Sequence, residues 1–262
     1  MKSQRIKQLY KKIRSIFGLS FTLAKANFKL RNEGSYLGIL WYLLNPLLLF
    51  LIILFIKGVA FSESKIEFYP IYLLFGIVMS NLFTSIAGTS INSISGNSSF
   101  ITSMKIEYEP FVLSNILQFV FSHLFEVALI VVFMVFFKIP LIGIVYYFII
   151  LFFFLIFMTG VSLLFSTIGT YVSDFANIWA FASQLIFFIT PTFYTIKPSD
   201  PNYFANLFNP LFYFLDVSRQ IVVYQKLPET WMMLVAVGIS LGFLAVGLFV
   251  FEKFKNKFAE LV

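Results

Sequence analysis

Six stretches of this sequence run for about 17–28 residues with almost no charge, which is the length a helix needs to cross the hydrocarbon core of a bilayer. They are 37–56, 71–87, 111–137, 141–168, 175–194 and 231–251, each closed by a charge, a proline or a short polar turn. The second is the most polar, with Ser80, Asn81, Thr84 and Ser85 inside it. Composition excludes the alternative of a soluble enzyme. The 262 residues are 60% hydrophobic and only 12% charged, against about 45–50% and about 25% in soluble domains. The expected fold class is therefore an all-α integral membrane protein with six transmembrane helices in one domain, 1–262. It divides into a cytoplasmic amphipathic segment (1–33), a six-span region (34–251) and a cytoplasmic tail (252–262).

Basic residues orient the spans. With six crossings, thirteen of the 19 Lys and Arg fall on the side of the termini, nine of them before residue 34. The other side holds Lys57, Lys65, Lys138, Lys197, Arg219 and Lys226. The positive-inside rule then places both termini in the cytoplasm. Ahead of the first span, Ile6, Leu9, Tyr10, Ile13, Ile16, Phe17, Phe21, Ala24 and Phe28 recur at three- and four-residue spacing, with Lys7, Lys11, Lys12, Arg14, Lys25 and Lys29 mostly off that stripe. This predicts an amphipathic helix in the membrane interface, or one packed on a soluble partner. Two loops are large enough to carry function, a cytoplasmic one at 88–110 and an external one at 195–230.

Much catalytic chemistry is missing. The sequence has no GxxxxGK[ST] phosphate loop, no GxSxG elbow and no HExxH helix. It has one histidine and no cysteine, so a metal site of ordinary ligands is not expected. No catalytic residue and no cofactor are assigned to the chain. His123 and Glu126 lie three apart within the third span, where ionisable groups are expensive and mark pathways. They read as a proton relay, or as a hydrogen-bonded polar pair lining a cavity; the second reading is preferred because no other acidic site accompanies them.

Several motifs together resemble a known family. Phe28-Lys29-Leu30-Arg31 leads into Gly34-Ser35-Tyr36-Leu37-Gly38-Ile39-Leu40-Trp41-Tyr42-Leu43-Leu44-Asn45-Pro46. Further along stand Tyr171-Val172-Ser173-Asp174-Phe175, then Phe187-Phe188-Ile189-Thr190-Pro191-Thr192-Phe193-Tyr194, Asn209-Pro210-Leu211, and the ending Lys257-Phe258-Ala259-Glu260-Leu261. In this order they resemble the permeases of type-2 ATP-binding-cassette exporters for O-antigen, capsular polysaccharide and teichoic acid. Ser173 stands where many such permeases carry arginine. The resemblance implies a homodimeric permease of the bacterial cytoplasmic (inner) membrane that exports a lipid-linked glycan. It implies two copies of a separate ATPase subunit that hold ATP and magnesium, and no nucleic-acid partner.

Three sets of residues are candidates for that work. Phe100, Ile101, Met104, Lys105 and Glu107, in a short helix of the cytoplasmic loop, are expected to contact the ATPase. Trp41, Tyr42, Tyr146, Tyr147, Trp179, Tyr194 and Tyr203 are the amphipathic aromatics available to a sugar chain, or to an interfacial belt. The apolar run 203–215 is too short to span and too apolar for solvent, which predicts a re-entrant external hairpin broken near Asn209 by Pro210. Phe204, Asn209, Pro210, Phe212, Asp216 and Arg219 would form this gate, with Asp216 and Arg219 pairing as an exposed anchor. Rival functions are a proton-coupled secondary transporter resting on His123 and Glu126, a membrane-embedded transferase acting on lipid-linked sugars, and a non-transporting scaffold.

Overall fold

Inside a bilayer every backbone donor and acceptor must find its partner within the chain, which leaves helices or closed barrels, and this chain chooses helices. The computed structural model describes residues 2–60, 66–103, 106–201 and 203–261. In chain order the helices are α1 (Lys2–Asn32), α2 (Trp41–Ala60), α3 (Tyr69–Ile91), α4 (Ser98–Ser103), α5 (Glu109–Phe136), α6 (Ile142–Tyr171), α7 (Phe175–Ile189), α8 (Tyr203–Leu207), α9 (Pro210–Val222), α10 (Thr230–Phe254) and α11 (Phe258–Leu261). Among the described residues there is no strand.

Five helices are long and apolar enough to cross a membrane, namely those of the first, second, third, fourth and sixth expected spans. The fifth differs. Pro191 disfavours helical backbone at the residue before it, and Thr190 is extended (φ −64°, ψ 136°), so α7 stops at Ile189 after 15 residues. At 1.5 Å per residue that is about 22 Å, less than the hydrocarbon thickness of about 30 Å.

The spans are arranged around α3. Its most apolar window is 78% buried, whereas that of the first span is 11% buried and turns most of its side chains outward. This explains the polarity of the second span. In the interior, Ser80 Oγ lies 3.3 Å from Thr192 Oγ1 and Thr84 Oγ1 donates to the Ser80 carbonyl at 2.9 Å. Side chains that would be costly against lipid are tolerated where protein or a cavity meets them. Phe83 and Phe157 stack beside them, and Phe157 packs against Phe214 and Phe243, joining α3, α6, α9 and α10 in one core.

α6 and α10 touch backbone to backbone. A Cβ on Gly160 would stand 2.5 Å from Leu244 N, and one on Gly247 would stand 2.9 Å from Gly160 Cα. Small residues permit such approaches, and in lipid they are a main source of helix association because no hydrophobic drive separates one apolar surface from another.

α1 departs from the expected flat interfacial helix. It runs lengthwise beside α5 in the same direction, meeting it at Lys12–Glu107 (2.8 Å), Phe21–Phe121 and Phe28–Phe125. Ser20 and Ala24 are buried, while Tyr10, Ile13 and Phe17, earlier along the same face, stay exposed. The apolar stripe is therefore covered along part of its length only.

Candidate functional site

Where the α1–α2 connection crosses α3 and α5, the bundle leaves a polar cavity of about 240 Å³. Arg31 and Trp41 stand at it, Asn45 comes from the first turn of α2, Asn81 and Ser85 from α3, and Glu126 from α5. Arg31 is held between two rings, its guanidinium carbon 4.9 Å from the Phe119 centroid and 5.4 Å from that of Tyr42. Tyr42 in turn stacks on Phe28. Arg31 forms no ion pair among the described residues.

Glu126 is oriented from behind. His123 Nδ1 lies 2.9 Å from Glu126 Oε2, His123 Nε2 lies 2.7 Å from Tyr147 Oη, and Tyr147 Oη reaches Met79 Sδ at 3.0 Å. Tyr147 is fully buried and His123 is 1% exposed. The chain of contacts therefore ties α5 to α6 and α3 and presents one carboxylate oxygen to the cavity. No groups of three or more His, Cys, Asp or Glu that could hold a metal occur among the described residues.

The other candidate aromatics separate by environment. Trp41 and Tyr146 are exposed, but Trp179 is buried, set edge-on to Phe83 and Phe165, with its indole N–H donating to the Thr84 carbonyl at 3.4 Å. Its place is in the core, so the expectation of a sugar contact at Trp179 does not hold. Tyr147 is likewise interior. Tyr194 borders an apolar cavity of about 560 Å³ between α2 and α7, with Lys57 also on its wall. Its hydroxyl donates to the Ile189 carbonyl at 2.5 Å. Tyr203 sits edge-on against Phe212.

In the segment between α7 and α10, the chain breaks at Asn209-Pro210, giving two helices, α8 and α9. Pro210 occupies the first turn of α9, where its missing N–H has no bond to lose. Asn209 Oδ1 caps Leu211 N at 3.1 Å, and Asn209 Nδ2 donates to Thr190 Oγ1 at 2.6 Å. Phe212 is 2% exposed and Phe204 68%.

The expected exposed pair of Asp216 and Arg219 is corrected here. Asp216 accepts a hydrogen bond from Gln220 and forms no ion pair with Arg219. Arg219 is buried, 2% exposed. Its Nη1 donates to the Pro191 carbonyl at 2.5 Å, and its Nη2 to the carbonyls of Tyr72 at 2.9 Å and Thr192 at 2.6 Å. The guanidinium carbon lies 3.5 Å from the Tyr72 ring centroid. Burial of a cation is tolerated only with such compensation. Pro191 and Thr192 follow the C-terminal end of α7, where orphan carbonyls collect negative partial charge. Gly76 makes the room, since a Cβ there would overlap Arg219 Nη2 and stand 2.6 Å from the Thr192 carbonyl oxygen.

In the loop between α3 and α5, Phe100 is exposed but Ile101 is 7% exposed, packed in a cluster with Ile94, Phe111, Phe251 and Phe258. Ile101 therefore faces the chain's own tail, not a partner. Glu107 pairs with Lys12. Met104 and Lys105 lie outside the described residues. Lys255 binds Glu109 at 2.9 Å and Glu252 at 2.6 Å, fixing the tail to the start of α5. The residues that sequence reasoning passed over are Arg31, Asn45, Asn81, Ser85 and Gly76. Their signal was polarity, or a missing side chain, inside otherwise apolar runs.

Comparison with known proteins bears on the whole arrangement. Residues 19–223 match the model of the ABC-2 type transporter family. The O-antigen export system permease protein RfbA of Klebsiella pneumoniae is 30% identical over 260 residues, covering 94% of this chain and 96% of the relative. A second Klebsiella pneumoniae protein of that name is 27% identical, with the same coverage. An RfbA permease of Myxococcus xanthus is 23% identical over 252 residues, 94% of this chain and 95% of the relative.

Proposed function

The chain belongs to the ABC-2 type transporter family, and on that premise we propose that it is the permease subunit of an ATP-binding-cassette exporter that moves a polysaccharide across a membrane. The observation that carries this reading is end-to-end similarity to permeases named for O-antigen export, in a charge-poor bundle that keeps a polar, aromatic-walled cavity among its spans. The chain is a multi-pass transport subunit. ATP hydrolysis belongs to a separate ATPase, which meets the cytoplasmic face through α1 and the exposed side of α4, where Phe100, not Ile101, is free to meet it. The termini are cytoplasmic, the membrane is the bacterial cytoplasmic one, and the outward-facing side chains of α2 suit a second copy of the chain. A lipid anchor fits the apolar cavity between α2 and α7.

Deleting the gene in its own host tests this reading. Surface polysaccharide should disappear and lipid-linked glycan accumulate inside, and the chain supplied from a plasmid should restore both. Undiminished surface polysaccharide in the deletion strain would overturn the assignment.

The segment of α8 and α9 is read as a re-entrant hairpin at the outer end of the path. The native sequence has no cysteine, so single cysteines at Phe204 and Phe212 need no background removal. A water-soluble thiol reagent added outside should label both slowly, because Phe212 is enclosed by protein and Phe204, exposed on the protein, would face lipid. A membrane-permeant apolar maleimide should label Phe204→Cys only. Fast labelling of Phe204→Cys by the water-soluble reagent would show a solvated loop.

A further inference from the structure

The polar cavity among α2, α3 and α5 supports an assignment finer than export in general. The side chains of Asn45, Asn81 and Ser85 border it and engage no described residue. At the level of membrane-spanning helices, unpaired amides and hydroxyls persist only against water or a ligand, and three converge here. Pro46, also on the cavity wall, lacks the N–H that would ordinarily serve the Tyr42 carbonyl four residues earlier. The ring of Trp41 supplies an apolar face. At about 240 Å³ the space is below the range of about 300–1,000 Å³ that takes drug-sized ligands. It suits a single small ring, not a folded chain.

Both donors and acceptors are present. Asn side chains offer each kind, Ser85 offers both in one group, and Glu126 offers acceptors alone when ionised. Glu126 Oε2 is engaged by His123, while Oε1 has no partner among the described residues. Arg31 stands at the same cavity, its guanidinium flanked by the Tyr42 and Phe119 rings and not paired with Glu126, so a cation shares the wall with the carboxyl group.

We propose that this cavity binds one sugar unit of the exported chain, with Glu126 accepting its hydroxyl hydrogens; the proposal rests on the polysaccharide-export reading above. A sugar hydroxyl both donates and accepts, so it satisfies the mixed set of groups on the wall. The C–H face of the ring rests on an aromatic side chain.

The test uses the full-length chain in lipid nanodiscs. Of its three tryptophans, Trp41 borders the cavity, so Trp179→Phe with Trp231→Phe leaves Trp41 as sole emitter. Methyl glycosides of glucose, galactose, mannose and N-acetylglucosamine are titrated. At least one of these glycosides should shift Trp41 emission saturably. Glu126→Gln should weaken the response by roughly tenfold or more, the equivalent of one charge-assisted hydrogen bond. If Glu126→Gln does not accumulate, Asn81→Ala replaces it and should weaken the response. Silence toward every one of these glycosides, or an undiminished response in Glu126→Gln, would overturn the proposal. Surface polysaccharide in cells separates the two readings: a chain that restores it yet shows no Trp41 response keeps the export function and loses this site.

Discussion

Replacing Arg219 by methionine should lower stability by about 3–5 kcal/mol and abolish export, although the residue is far from any expected ATPase contact. The methionine fills much of the volume but leaves the carbonyls of Pro191 and Thr192 facing an apolar side chain. Each of those bonds to a charged donor is worth about 1.5–3 kcal/mol, and leaving a buried acceptor unpaired adds its desolvation penalty. Lysine should not rescue. One ammonium cannot reach three carbonyls on two elements as the planar fork does. Gly76→Ala should reproduce the defect from the other side, because its methyl enters the space of the guanidinium. The checks are thermal unfolding of the purified permease in detergent and surface polysaccharide in cells. Arg219→Met with a wild-type midpoint and normal export would show that these three bonds support neither stability nor transport.

The glycines of α10 should divide into two classes of opposite sign. Gly247→Leu should separate α6 from α10, because its Cβ would meet the backbone of Gly160 and no rotamer moves a backbone away. Overpacking a core typically costs about 1–3 kcal/mol, and the absence of a yielding side chain puts this case at the upper end or beyond. Gly160→Leu should do the same against Phe243. Gly238→Ala and Gly242→Ala, where nothing lies within 4 Å of the added Cβ, should instead be neutral or stabilise by up to about 1 kcal/mol through helix propensity. Folded yield by size-exclusion profile and unfolding midpoint distinguish the classes. Equal tolerance at Gly247 and Gly238 would mean that the close contact contributes nothing.

What was legible in the sequence was what neighbouring residues decide. Span ends follow charges and prolines, and the break between α8 and α9 falls where Pro210 requires it. The end of α7 was also local, since Pro191 sits one residue past Thr190, yet the apolar run through Tyr194 concealed it. What was not legible depends on partners distant in the chain. Arg219 looks like a rim charge three residues from an acid; its acceptors stand 27, 28 and 147 residues away. Asn81 and Ser85 look like flaws in a span until α2 and α5 are set beside them. Ile101 looks like one of a set of protruding side chains until the C-terminal tail covers it. Trp179 carries the same amphipathic ring as Trp41, and only the packing of Phe83 and Phe165 tells them apart. Direction was hidden too: the stripe on α1 reports an apolar face but not that α5 would occupy part of it.

The bond from Arg219 to the Tyr72 carbonyl has a consequence for synthesis. α3 leaves the ribosome well before α9, so during elongation its polar side chains enter the bilayer without the partners that later cover them. A nascent α3 is therefore a marginal insertion segment, held by the translocation machinery or by α2 until about 150 further residues have emerged, as chain separations of this size require. Chains truncated before α9 should be recognised as unfinished and degraded, and slowing translation between α3 and α9 should lower yield more than slowing it after α10.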